Sequence, residues 1–153
     1  MTEKVDPITF ELFKNATFSI ADEMALTIFR TTYSCVLKDN MDYSTGLADA
    51  DGKLVAQGLT LPAHLGSVPT ALASIMRHFA DDMAPGDVFI MNDPFDGGMH
   101  LPDIFIFKPL YNDGNVSPLP VRVAITAMSA DGSPAPMPPT RPKSTRKASV
   151  SRR

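Results

Sequence analysis

The chain has 153 residues, of which 44% are hydrophobic and 20% charged, with 17 acidic and 14 basic side chains. These values are typical of one soluble globular domain rather than several. No apolar run reaches the length of a membrane span, and the N-terminus lacks the pattern of a signal peptide, so we expect a cytoplasmic protein with no membrane partner. The single cysteine, Cys35, excludes an internal disulfide, and we expect its thiol to be buried.

Charge and aromatic residues are distributed unevenly along the chain. Residues 1–120 contain 7 basic and 16 acidic side chains (net −9), whereas the remainder contains 7 basic and 1 acidic (net +6). No aromatic residue follows Tyr111, and proline, serine, lysine and arginine dominate the last segment. Such a segment buries too little apolar area to offset its ordering entropy, so we predict disorder from about residue 128 to 153.

The first predicted element is a long helix over residues 7–31. Asp6 followed by Pro7 is a typical helix start, with an N-cap and a proline at the first helical position. Apolar residues then recur every fourth position and predict a stripe: Ile8, Leu12, Ala16, Ile20, Met24 and Ile28. Phe13, Ala21, Ala25 and Phe29 widen this stripe, so we expect the helix to pack into a core on more than one side.

The next elements predict a mixed architecture. Two short segments, 43–48 and 53–57, flank an Asp51-Gly52 turn and predict a hairpin. A second helix is predicted over 67–82, and strands over 88–91 and 104–107 bracket an irregular loop. We therefore predict an α+β fold with a long N-terminal helix, a hairpin, a second helix, a small incomplete sheet and a disordered C-terminal tail.

The loop between the last two strands, NDPFDGGMHLPD, has the densest set of polar side chains. It contains Asn92, Asp93, Asp96, His100 and Asp103. Imidazole and carboxylate groups are ligands for zinc, manganese or iron, but a stable site generally needs three or four of them. The alternative is that these aspartates cap turns beside the glycines and prolines.

Two smaller clusters allow the same two interpretations. Asp39, Asn40 and Asp42 precede the hairpin, and His64 lies on a loop between Pro62 and Gly66. Each is a candidate site residue, and turn chemistry is the alternative for the first three. His78, inside the second predicted helix, is expected to be structural or solvated. The chain has neither GxGxxG nor GxxxxGK[ST], so we expect no nucleotide to bind to it.

Four stretches resemble the N-terminal part of the hydantoinase B family: DPITFELFKNATFSIADEMALTIFRTTYS, LKDNMDYSTGLADADGKLVAQG, LPAHLGSVP and PGDVFIMNDPFDGGMHLPDI. That family comprises B subunits of ATP-dependent N-methylhydantoinases, the matching half of 5-oxoprolinase, and related subunits of acetone and acetophenone carboxylases. The resemblance covers residues 6–111.

The resemblance implies a reaction and its components. A partner A-type subunit would use ATP to activate a cyclic amide or a ketone carbonyl, and the B subunit would complete hydrolysis or carbon transfer at a divalent metal. The matched motif makes His100 and Asp103 the metal-ligand candidates, followed by Asp93. The metal would polarise a carbonyl or generate a hydroxide. The main interpretation is a cyclic amide hydrolase, with a ketone carboxylase as the alternative, and no catalytic residue is assigned.

The chain departs from the family after residue 123, where the family presents a motif resembling HHxDxGG. In a reading frame shifted from Ala124 onward, the third base of each codon joins the first two bases of the next. The codons possible for this sequence permit HHxDVGG in that frame at that place. Our hypothesis is a single-base deletion near codon 123. It divides the chain into an incomplete domain, 1–123, and a disordered, out-of-frame tail, 124–153.

The tail therefore has two interpretations. A basic segment is also typical of a nucleic-acid-binding arm, but out-of-frame translation gives the same composition, and we expect no nucleic-acid partner. Three hypotheses follow for the chain: part of an enzyme subunit, a binding or regulatory module with a basic tail, or an inert truncated product. For an incomplete domain we expect exposed apolar surface and open strand edges near residues 104–108. Family membership does not by itself establish activity in so short a chain.

Overall fold

The computed structural model describes residues 5–49, 51–112, 115–116 and 123–129. Its helices begin and end close to the predicted positions. Asp6 Oδ2 accepts a hydrogen bond from the Thr9 amide at 3.0 Å, which caps the first helix. The helices are α1 (Pro7–Thr31), α2 (Cys35–Lys38) and α3 (Val68–Phe79), with 3₁₀ turns at Pro62–Gly66, Ala80–Asp82 and Pro94–Asp96.

The strands form an antiparallel sheet of five strands in the order β2-β1-β7-β4-β3, and a separate ribbon pairs β5 with β6. The strands are β1 (Tyr43–Ala48), β2 (Leu54–Gln57), β3 (Phe89–Met91), β4 (Asp103–Pro109), β5 (Tyr111–Asn112), β6 (Asn115–Val116) and β7 (Val123–Ser129). The predicted hairpin and both bracketing strands are confirmed, as is the α+β class.

Helix α3 covers one face of the sheet and builds the main core there. Phe105 and Phe107 of β4 are fully buried on this face with Ile75 of α3. Ile104 and Ile106, which alternate with them, point to the opposite face and are only half-buried. Side chains alternate between the two faces of a strand, so the two faces of β4 are buried to different extents. The fully buried face is the one that α3 covers.

Helix α1 packs on the opposite face, over β1 and β2. Tyr43 donates its hydroxyl to the Ala25 carbonyl at 3.0 Å, and Thr45 donates to the Ala21 carbonyl at 2.9 Å. These small helix residues, with Thr17, are the buried residues of α1. The close packing of α1 therefore depends on small side chains and helix-to-sheet hydrogen bonds.

The predicted core stripe of α1 is wrong for its first half. Ile8 is 71% exposed, Leu12 66% and Ile20 48%, and only Met24 and Ile28 of the stripe's large side chains are half-buried. The helix meets the sheet through the residues that widen the stripe, Ala21 and Ala25, with Phe13 packed beside them. Exposed large apolar side chains are present on α1, whereas the apolar residues of 104–108, where exposure was expected, are buried or half-buried.

Two expectations about the last strands are corrected. Strand β4 pairs with β3 on one side and β7 on the other, so residues 104–108 have no open edge; the outer strands are β2 and β3. The proposed boundary at residue 124 falls inside β7, and residues 124–129 are a paired central strand rather than part of a disordered tail. Residues 130–153 of that predicted tail lie outside the described residues.

Two smaller findings complete the fold. Cys35 is exposed at the start of α2, which overturns the expectation of a buried thiol. Within the described ranges, no helix combines the length and hydropathy needed to cross a membrane.

Candidate functional site

Strand register brings two distant aspartates to the same end of the sheet. Tyr43 of β1 and Ile104 of β4 both pair with Met128 of β7. Asp42 and Asp103 immediately precede Tyr43 and Ile104, so β7 holds the two carboxyl groups on either side of itself. A 3₁₀ turn, Pro62–Gly66, places His64 against the same end of the sheet.

Four side chains meet there, and we call them the Asp/His cluster: Asp42, His64, His100 and Asp103. His64 Nε2 lies 3.8 Å from Asp42 Oδ1 and 3.8 Å from Asp103 Oδ1. Asp103 Oδ2 lies 2.9 Å from His100 Nδ1 and accepts a hydrogen bond from the His100 amide at 3.1 Å. Asp103 and His64 are buried, Asp42 is partly exposed, and the His100 side chain is 63% exposed. The cluster therefore connects the core to the surface.

A serine that sequence reasoning missed belongs beside this cluster. Ser44 Oγ lies 3.1 Å from His64 Nδ1 and donates to the Leu61 carbonyl at 2.5 Å. Asp42 and Ser44 are two residues apart at the start of β1, and side chains with that spacing share a face of a strand. The spacing of Asp42 and Ser44 was the only sequence signal for Ser44. It indicates a site residue only when the structure shows that His64 lies on the same face.

The remaining predicted site residues lie elsewhere. Asp93 accepts a hydrogen bond from the Phe95 amide at 2.8 Å and caps the 3₁₀ turn that follows it. Asn92, Asp39 and Asn40 are exposed. The turn-capping alternative therefore describes the geometry of Asp93, whose carboxylate bonds the turn that follows it.

Asp96 attaches the loop between β3 and β4 to α3. Its carboxylate accepts hydrogen bonds from Ser74 Oγ at 2.7 Å and Arg77 at 2.6 Å, and lies 3.0 Å from His78 Nε2. The Ser74 hydrogen bond is the largest effect that lowers the pKa of Asp96 below its ordinary value; partial burial opposes it, and His78 and Arg77 add to the lowering. The structural role expected for His78 is confirmed by this contact.

The lowered pKa predicts how Asp96 contributes to stability. A carboxyl group with a depressed pKa in the folded state stabilises the fold above the unfolded-state value of about 4, and this contribution is lost as pH falls further. We expect Asp96→Asn to lower the melting temperature at pH 7, with the difference from the native chain shrinking below about pH 4. Thermal unfolding from pH 7 to 3 measures this, with the exposed Asp51→Asn as the charge-matched control. A difference that stays constant with pH would contradict the assignment.

The Asp/His cluster combines groups that suit proton transfer or cation binding. A buried carboxylate beside an imidazole orients the ring, and a second carboxylate lies near Nε2 of His64. Among the described residues, however, no group of three or more His, Cys, Asp or Glu side chains is spaced to hold a metal ion as it stands. Donors around an ion bound at about 2.1 Å lie roughly 3 Å apart, closer than the 3.8 Å separations found here.

The sequence matches the family model described as Hydantoinase B/oxoprolinase over residues 6–141. It is 34% identical over 116 residues to the 5-oxoprolinase of Dictyostelium discoideum, covering 76% of this chain and 9% of that protein. It is 37% identical over 112 residues to caprolactamase subunit beta of Pseudomonas jessenii, covering 73% of this chain and 19% of that subunit. The chain thus spans a tenth to a fifth of the length of these relatives.

Two solved structures share the fold. The ATP-dependent caprolactamase from Pseudomonas jessenii superposes with a TM-score of 0.70 at 29% identity, over 88% of this chain and 23% of that chain. Nucleotide-free acetone carboxylase superposes with a TM-score of 0.72 at 16% identity, over 82% of this chain and 16% of that chain. The second similarity concerns the fold alone.

Proposed function

Because the chain belongs to the hydantoinase B/oxoprolinase family, we propose that it is part of the B subunit of an ATP-dependent hydrolase that opens cyclic amides such as hydantoin or 5-oxoproline. An A-type partner subunit uses the ATP, and the reaction takes place in the cytoplasm. The observation that carries this proposal is the Asp/His cluster. It joins residues that are far apart in sequence into a partly buried acid-base group within the region that matches the family.

The alternative function is carboxylation of a ketone. It is supported by the similarity in fold to acetone carboxylase. The described residues contain no feature that favours a ketone over a cyclic amide, and the higher identities are to proteins named 5-oxoprolinase and caprolactamase. Hydrolysis of a cyclic amide is therefore the first proposal.

A substrate panel separates these functions. The chain is expressed together with an A-type subunit and supplied with ATP and 5-oxoproline, hydantoin or caprolactam, or with acetone and bicarbonate. We expect ATP-dependent ring opening of at least one cyclic amide, measured as the ring-opened product. Carboxylation of acetone alone would support the alternative. A folded complex that transforms none of these substrates would contradict both, and it would favour the inert product.

A divalent metal, Mn, Zn or Fe, is proposed for the complete site. The donor types of the Asp/His cluster suit such an ion, with His100, Asp103, His64 and Asp42 as the side chains in place, but their spacing does not form a finished site. When bound, the metal polarises a carbonyl or lowers the pKa of a water molecule. Asp93 is less suited than first expected, because its carboxylate caps a turn.

We expect this chain by itself to bind Mn²⁺ or Zn²⁺ weakly. Too few ligands are in position, and each added ligand contributes to affinity. Calorimetric titration of the purified chain with either ion measures this. Tight stoichiometric binding that His100→Ala abolishes would contradict the expectation, because it would show that the local loop suffices.

The strand β7 is where the resemblance places further ligands. Its last residues pair with Tyr43, Ile104 and Asp103, so this strand ends beside the cluster. The proposed one-base deletion near codon 123 would replace an HHxD motif there with the present sequence. Nucleotide sequencing across codons 115–130 decides it: one additional base supports the deletion, and an unchanged frame refutes it.

A further inference from the structure

The tautomer of His64 follows from the hydrogen-bond partners around its ring. Ser44 Oγ is 2.5 Å from the Leu61 carbonyl oxygen, and a carbonyl oxygen only accepts. The single hydroxyl proton of Ser44 is therefore used in that bond. At 3.1 Å from His64 Nδ1, the same oxygen then acts as the acceptor, so Nδ1 carries the proton.

The other ring nitrogen faces two acids. Nε2 lies 3.8 Å from a carboxylate oxygen of Asp42 and 3.8 Å from one of Asp103. With Nδ1 bonded to Ser44, Nε2 is the ring nitrogen that faces both carboxylates. Both distances exceed hydrogen-bond length.

We propose that Ser44 is a positioning residue that fixes a proton on Nδ1 of His64 and so holds the ring with Nε2 facing Asp42 and Asp103. The side chains of Ser44 and His64 are both more than nine-tenths buried, so bulk water does not replace the hydroxyl as the acceptor. The inference concerns the site of the proposed function and rests on it for its catalytic meaning. The tautomer itself is a property of the chain alone.

Nitrogen-15 NMR of the imidazole rings tests the proposal in the full chain. The chain has three histidines, so His78→Gln and His100→Gln assign the spectrum by loss of one ring each. For His64 we expect a protonated Nδ1. In Ser44→Ala we expect the Nδ1 proton to be lost from part or all of the molecules. An unprotonated Nδ1 in the native chain, or an unchanged Nδ1 signal in Ser44→Ala, would overturn the proposal.

Two controls keep the result interpretable. Ser74→Ala removes another buried serine hydroxyl, one that bonds Asp96 instead, and should leave the His64 signals unchanged. Mn²⁺ as a paramagnetic probe should broaden the His64 signals in the native chain and broaden them less in Ser44→Ala; equal broadening in both would contradict a ring that Ser44 holds in place. If the substrate panel fails while the tautomer is as expected, the proposed function is wrong and the positioning of His64 stands.

Discussion

Phe105→Ala is expected to destabilise the chain by about 3–5 kcal/mol, most of the stability of a typical small domain. Phe105 is 0% exposed and stacks on Phe107, with ring centroids 6.3 Å apart, in the core between β4 and α3. Removing the ring loses its burial and leaves a cavity that neighbouring strands cannot fill, because β4 is paired on both sides.

Denaturant unfolding followed by circular dichroism measures this effect. Phe95→Ala is the matched control, since Phe95 is 96% exposed and its removal should change stability by less than about 0.5 kcal/mol. Equal and small losses in the two variants would show that β4 and α3 do not form the core described here.

Gly97→Ala is expected to cost about 3 kcal/mol and to detach the loop from α3. Gly97 has φ +106°, a conformation that side chains rarely adopt, and an added Cβ would lie 2.6 Å from the Thr70 carbonyl oxygen. Thr70 also donates its hydroxyl to the Gly97 carbonyl at 2.9 Å. Moving the loop away from the helix to fit the added Cβ would break that bond.

The same unfolding measurement tests this variant. Gly66→Ala is its control, because no atom lies within 4 Å of the position its Cβ would take and its φ is not positive. We expect Gly66→Ala to be close to neutral and Gly97→Ala to unfold earlier, with the native contact of Asp96 and Ser74 weakened. A neutral Gly97→Ala would mean that the loop does not rest on α3.

Local sequence patterns predicted most of the elements but not all of their packing. Helix α1 begins and ends as its capping and periodicity indicated, because those signals are carried by neighbouring residues. Its buried face was predicted only in part: Ala21 and Ala25 are buried as expected, but Ile8, Leu12 and Ile20 are exposed, since an apolar stripe shows which side can be buried and not which side another element covers. Strand β7 was missed because the composition after residue 120 resembles a disordered segment, although Ile125 and Ala127 alternate as a strand requires.

In the candidate site, too, contacts between neighbouring residues were predictable from sequence and long-range contacts were not. His100 and Asp103 are three residues apart in one loop, so their contact was predictable from sequence. The contribution of Asp42 and His64 depends on the register of β1 and β4 against β7, which is long-range information. Asp96 was a site candidate on sequence grounds, but its three partners lie on α3, and helix-to-loop contacts of that kind are not encoded locally.

The proposed role of the Asp/His cluster in ring opening is tested most directly in caprolactamase subunit beta of Pseudomonas jessenii. The matched segment of that subunit is replaced by the corresponding residues of this chain, and the chimera is assayed with its partner subunit for ATP-dependent caprolactam hydrolysis. We expect the chimera to be active, Asp103→Asn in it to lower kcat by about 100-fold or more, and Asp51→Asn to have little effect. A folded but inactive chimera, or an active one in which Asp103→Asn changes nothing, would contradict the claim.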